Sequence, residues 1–303
     1  MLSQSVGRYI TLRRHFGYKL IQLNQLLLGF AQFAEERGET HIRRGTALAW
    51  ATVASTTGTR YVRLQAVVMF ARFLHAEDPR HEVPPHQIFP SPQTRLMPYI
   101  YSQEEITRLM SAAGRLARTY PLRRQTYATL FGLIAATGMR ISEALSLKLN
   151  DVCEDGLLQI RYGKCGKARA IPLHETTLKA LNSYLLLRRT IATTDNHLFL
   201  SAHGRRISRS MADYTFRRVA LLAGITETGT RPCRIHDLRH TFATRSLEQC
   251  PTDRKNVAAH FVALATYLGH ADIAHTYWYL EATPELMTDI SAAAEVLVGR
   301  EVA

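Results

Sequence analysis

Apolar positions along this chain recur mostly at three- and four-residue steps, the period of a helix that buries one face. In "LIQLNQLLLGFAQFAEERG" they fall at 20, 23, 27, 30 and 34, with Gly38 placed to stop the helix. The stretch "TGTRYVRLQAVVMFARFLHAED" repeats the pattern: Val62, Ala66, Met69 or Phe70, and Phe73 share a face, and Arg60, Arg63 and Arg72 lie nearer the other. Residues 1–82 therefore read as a small all-helical domain. Six of the eleven prolines stand between 79 and 98. Each removes a backbone donor and disfavours helix in the residue before it, so 83–100 is expected to be a linker or extended strap. A new helix opens at "YSQEEITRLMSAA", where Ser102 is an N-cap candidate and Glu104 and Glu105 occupy the first turn, the helix end that favours acid. The patterns over 101–303 remain helical with one exception. Two short β-prone runs, "LLQIRY" and "ARAIPL", flank "GKCGK" and predict a hairpin with Lys164 and Lys167 at its tip. The expected class is mostly α with a small β-hairpin, α+β.

Composition narrows the partners. The chain has 303 residues, 46% of them hydrophobic, enough for two domains and a sizeable core. Lysine and arginine total 38 against 25 acids, a formal charge of +13, and they are spread along the length. A dispersed positive charge suits a protein that lies along a polyanion such as DNA or RNA, although a basic balance by itself does not establish one. The four cysteines (Cys153, Cys165, Cys233, Cys250) form no C-x-x-C pair, which argues against a disulfide framework and a four-cysteine zinc site. No apolar run reaches the eighteen or so residues of a membrane span, and the N-terminus lacks the apolar core of a signal peptide. The expectation is a cytoplasmic, nucleoid-associated protein with no membrane partner.

Four stretches carry candidate chemistry. In "AATGMRISEALSLKLNDV" a turn at Gly138 precedes a helix start with Arg140, and Glu143 stands three residues on. A carboxylate there can steer the guanidinium into a fixed fork for a phosphate; an ordinary surface Arg-Glu pair has the same spacing. A lysine at the hairpin tip is commonly solvated, and it can also be lowered into a groove as a proton donor. In "RIHDLRHTFATRSL" a helix would project His236, Arg239 and His240 from one side. The two-histidine spacing also matches a zinc hydrolase, but with Asp where that motif has its catalytic Glu. The last stretch, "YLGHADIAHTYWYLEATPEL", holds His270 and a Tyr277-Trp278-Tyr279 cluster, residues that taken singly more often pack than react.

Together and in this order, Arg140, Lys164, His236-x-x-Arg239, His270 and Tyr279 resemble the active site of the tyrosine recombinases, the phage-integrase and Xer-like enzymes. The phrases "ATGMRISEAL", "HDLRHTFAT" and "LGHADIAHTYWY" carry the resemblance over about 100–285. It implies a helical, SAM-like core-binding domain at 1–82 and a catalytic domain at 101–303 with a C-terminal tail helix. It also implies a nucleophile at Tyr279, nine residues after His270, with Tyr277 as its rival. Arg140 and Arg239 would clamp the phosphate, and Lys164 would be the general acid, with Lys167 as the alternative. His236 would help take the tyrosine proton, His270 would bond the phosphate, and Glu143 and His240 would support the site. Cys165 stands where the family more often has glycine.

Further implications are double-stranded DNA as substrate, a homo-tetramer on two DNA sites that related recombinases could join, no cofactor and no metal. Arg60, Arg63, Arg205, Arg206 and Arg209 are the expected DNA contacts. Departures from the housekeeping pattern favour a mobile-element integrase or transposase. The competing readings are a type IB topoisomerase, a catalytically silent DNA-binding protein and the zinc hydrolase.

Overall fold

Eleven α-helices, one short 3-10 turn and one two-stranded antiparallel sheet arise among the residues that the computed structural model describes. Those residues are 1–16, 20–91, 97–116, 121–153, 155–161, 168–225, 232–249, 254–269 and Thr276. The chain divides into two units, Met1–Leu96 and Met97–Ala303, with the division falling inside the proline-rich stretch.

The first unit holds α1 (Leu2–His15), α2 (Ile21–Glu35), α3 (Arg44–Thr52) and α4 (Thr57–Glu77). Leu27, Phe30, Ala31 and Ala34 on α2 meet Leu64, Val67, Phe70, Ala71 and Leu74 on α4 in one apolar core, with Trp50 of α3 edge-on to Phe30 at 5.6 Å. The buried arc of α4 differs from the predicted stripe: Val62 and Met69 are exposed, whereas Leu64, Val67 and Val68 are buried. Because α4 packs against α1, α2 and α3 together, its buried arc is wider than one amphipathic face and is set by those neighbours. Two of the predicted DNA contacts spend donors inside this unit. Arg60 Nε reaches the carbonyl of Ala54 at 2.8 Å. Arg63 reaches that of Trp50 at 3.2 Å and lies over its indole ring.

Near the start of the second unit Tyr101 is buried and donates its backbone N–H to Thr241 Oγ1 at 3.0 Å. Then follow α5 (Gln103–Gly114), α6 (Pro121–Thr137), α7 (Ile141–Ala144), the 3-10 turn Leu149–Asp151, β1 (Leu157–Ile160) and β2 (Arg169–Pro172). After the hairpin come α8 (Glu175–Arg189), α9 (Arg209–Leu222), α10 (Ile235–Glu248) and α11 (Arg254–Leu268). Helix α6 is the centre, packed by α5, α8 and α10. Helix α5 starts as its sequence predicts: Ser102 and Glu105 form a reciprocal capping box. Strand β1 pairs with β2 in the register Leu158↔Ile171 and Ile160↔Arg169. Alternation along β2 buries Ile171, and Arg169, two residues earlier, shares that inner face. No helix among the described residues is long and apolar enough to cross a membrane.

Candidate active site

The site begins where α6 ends. Gly138 has φ +59°, and a Cβ there would lie 2.5 Å from Phe242 Cδ1, so a glycine is required both by the turn and by the approach of α10. The turn delivers Arg140 to the N-terminus of α7. Its backbone N–H donates to Glu143 Oε2 at 3.0 Å and its Nη1 to Glu143 Oε1 at 2.9 Å. The Glu143 side chain is only 2% exposed, and a buried carboxylate needs more than one partner to offset its lost hydration. Arg169 supplies the second. Its Nη1 and Nη2 donate to the two carboxylate oxygens at 3.2 and 2.8 Å, a bidentate pair. Burial alone would raise the carboxyl pKa, but the bonds from Arg169 and from the Arg140 backbone outweigh it and hold the group below the usual carboxylate range.

Three arginines then converge on the end of α11. Arg169 Nε donates to the carbonyl of Tyr267 at 2.8 Å, Arg239 Nη2 to that of Leu268 at 2.9 Å, and Arg140 Nη2 to that of Gly269 at 3.1 Å. An α-helix leaves its last carbonyls without intrahelical donors and carries partial negative charge there, so a cluster of guanidiniums is well matched to this end. Arg239 is 1% exposed and its Nη1 also donates to the carbonyl of Gly138 at 2.7 Å. It is held between the turn after α6 and the end of α11.

His236 and His240 sit one turn apart on α10, their rings edge to face at 4.6 Å. Burial first, and then the nearby Arg239, Arg234 and Arg140, depress the His236 pKa to about 4, leaving the imidazole neutral near pH 7. Asp237 is fully buried, and its Oδ2 accepts the Arg234 backbone N–H at 2.8 Å. Arg140 and His236 line one cavity of about 340 Å³ together with Arg209, Arg217, Arg234 and Asp213. The arrangement is a cationic recess with a neutral imidazole on its wall, suited to hold a phosphate and to accept a proton.

Of the predicted residues, the structure brings together Arg140, Glu143, His236, Arg239 and His240. Arg209 joins the cavity, whereas Arg206 is tied to the Leu145 carbonyl and Ser146 Oγ, both at 2.9 Å, and Arg205 is exposed. Lys164, Lys167, His270, Tyr277, Trp278, Tyr279 and the expected tail helix lie outside the described residues. Three arginines went unnoticed in the sequence: Arg169, Arg217 and Arg234. For Arg169 a signal existed, since strand alternation sets it on the same face as apolar Ile171, where a cation must find an acid.

Among the described residues, metal-type donors gather as His41, Asp78 and His81, in the first unit. Arg80 donates to both Asp78 oxygens, and His81 Nδ1 accepts the Ile42 N–H at 3.1 Å. Those atoms are already engaged in fastening residues 41–42 to the end of α4. On α10, Asp237 is bonded to Arg234 rather than offered beside the two histidines.

The phage integrase family model matches residues 100–285. This chain belongs to that family, the tyrosine recombinases. It is an enzyme of DNA strand transfer. A Sinorhizobium fredii protein named as an integrase/recombinase, y4rB, is 38% identical over 296 residues, covering 94% of each chain. The tyrosine recombinase XerD of Caulobacter vibrioides is 32% identical over 238 residues, covering 75% of this chain and 72% of its own. Among solved structures, the Tn1549 transposon integrase in complex with transposon right end DNA superposes with a TM-score of 0.68 at 17% identity, over 98% of this chain and 99% of that one. At that identity the likeness speaks for the fold, a helical recombinase architecture with a small sheet.

Proposed function

We propose that this tyrosine recombinase is the integrase or transposase of a mobile element, cutting and rejoining double-stranded DNA through Tyr279. The observation that carries the chemistry is the shared cavity of Arg140 and His236, with Arg239 buried behind it and Glu143 fixing Arg140. The Tyr279 phenolic oxygen attacks phosphorus while the bond to the 5′-oxygen breaks, giving a 3′-phosphotyrosyl link that keeps the phosphoester for rejoining. The phenolic proton passes to neutral His236, and the departing 5′-oxygen takes a proton from Lys164. Arg140 and Arg239 balance the charge on the nonbridging oxygens, the largest part of the barrier reduction, and His270 adds a bond to the same phosphate. Rejoining is the reverse attack by a 5′-hydroxyl, so the cycle consumes neither ATP nor metal.

The rim of Arg209, Arg217 and Arg234 offers positive charge to the phosphates beside the cut. The likeness to y4rB, named as an integrase/recombinase, and to a transposon integrase supports a mobile-element role. The working assembly in this reading is a tetramer on two DNA sites.

A nicked suicide duplex carrying the element's own terminal sequence tests this reading. Wild-type protein is expected to form a covalent adduct stable in denaturing gels, Tyr279→Phe to form none while still binding DNA, and Tyr277→Phe to retain it. An adduct that survives Tyr279→Phe and disappears with Tyr277→Phe would refute the assignment.

A further inference from the structure

We infer that Arg169 is a positioning residue for strand cleavage, holding the Arg140 clamp in place through Glu143. The inference rests on the recombinase reading and deepens it. Three independent contacts place Arg169 there. Its guanidinium takes both oxygens of Glu143, the same carboxylate that Arg140 holds through its backbone N–H and Nη1. Its Nε donates to the carbonyl of Tyr267, one residue before the Leu268 carbonyl that both Arg140 and Arg239 reach. Finally, a Cβ added at Gly269, where φ is +66°, would lie 2.8 Å from Arg169 Nη1, so the chain leading to His270 passes directly against this side chain.

The charges explain why such a residue is needed. Arg140 and Arg239 stand close together at one helix end, and without a further partner the buried Glu143 would be held only by the backbone N–H and guanidinium of Arg140 itself. Arg169 adds a second, bidentate hold on both Glu143 oxygens. With its side chain 12% exposed and 26 residues away in sequence, it is set by strand β2 rather than by α7. Arg140 then meets a fixed acceptor, and its Nη atoms are aimed before the phosphate arrives. Preorganised donors of this kind act on the charge of the nonbridging oxygens, so Arg169 should matter in proportion to that charge.

That proportion supplies the test. Arg169→Ala and Arg169→Lys are compared with wild type in single-turnover formation of the covalent adduct at saturating suicide DNA, and each protein is also given a duplex whose scissile phosphate is a methylphosphonate. The methyl group removes one negative charge, and with it most of the need for an aimed cation. On the phosphate substrate Arg169→Ala should slow adduct formation by roughly 100-fold, with DNA affinity within about 3-fold of wild type. Lysine should recover about 10-fold of the loss, since it keeps the charge but not the fork. On the methylphosphonate the Arg169→Ala defect should shrink to within about 5-fold.

An alanine variant that cleaves phosphate DNA like wild type overturns the inference, as does a defect of equal size on both substrates, which would mark Arg169 as merely structural. If alanine prevents folding, as checked by circular dichroism, the same substrate ratio is read on the lysine variant. If wild-type protein forms no tyrosine-linked adduct at all, the strand-cleavage reading itself falls and takes this inference with it.

Discussion

Arg239 Nη2 lies 2.9 Å from the carbonyl oxygen of Leu268, the last residue of α11, while Nη1 of the same guanidinium reaches the carbonyl of Gly138 at 2.7 Å. One buried cation thus ties the turn after α6, 101 residues before it, to the end of α11, 29 residues after it. The group expected to stabilise a transition state is also part of the scaffold, and its orientation is set by main-chain oxygens before any phosphate is present.

Replacing it should therefore cost stability as well as rate. Arg239→Ala strips two buried carbonyls of a charged donor, and the expected loss is about 2–4 kcal/mol in urea unfolding of the whole chain. Arg239→Lys should recover part of the stability but almost none of the rate, with adduct formation down by about 100-fold or more in both variants. An alanine variant as stable as wild type would mean the carbonyls find other donors.

His236 gives a pH signature. Its folded pKa is depressed to about 4 from an ordinary 6.5, so on acidification the unfolded chain takes up a proton near pH 6.5 while the folded chain resists until about pH 4. The sign follows: this contribution is fully present above pH 6.5 and is lost as pH falls through that window, at most about 3 kcal/mol. His236→Gln should flatten the stability profile between pH 6.5 and 4. The wild-type cleavage rate should show no inflection from His236 near pH 6.5. A clear kinetic inflection there that disappears in the glutamine variant would contradict the depressed value.

Gly138 and Phe242 make a steric pair. Adding one methyl at 138 meets the phenyl ring at 2.5 Å on a backbone of φ +59°, so Gly138→Ala should destabilise by about 2–3 kcal/mol. In Gly138→Ala/Phe242→Ala the clash with the ring is gone, leaving the close contact with Leu268 Cδ2 at 3.1 Å, the lost packing of the phenyl and the backbone strain of about 1 kcal/mol, so the double mutant should lose less than the sum of the singles. Strictly additive losses would show that Phe242 moves aside unaided.

The helices and the site were legible to different depths. Helix α5 could be placed from six letters because a capping box is closed within four residues, and the hairpin because β-prone runs bracket a glycine-rich tip. For α4 the right helix came with part of its face: Ala66 and Phe70 are buried as expected, but Val62 and Met69 are exposed because three neighbouring helices, not one, decide what it buries. Arg60 and Arg63 were read as DNA contacts, and the structure adds that each also bonds a carbonyl, of Ala54 and of Trp50, because a helix wheel does not reveal which turn lies alongside. Arg140 and Glu143, three residues apart, were readable as a pair, whereas Arg169 was not visible as the third member.

By itself the sequence determined what is local and what is ordered: helix periods, caps, the proline-rich break, and the succession of arginines, histidines and tyrosine that marks the family. Those features depend on residue type and on separations of a few positions, which the covalent chain imposes directly. The tertiary structure alone decided that Arg169 shares Glu143 with Arg140 across 26 residues, that it reaches Tyr267 across 98, and that Arg239 is shut away between Gly138 and Leu268. Such partners are chosen by how helices and strands pack, because a buried charge must be met by whichever oxygen the packing brings within reach.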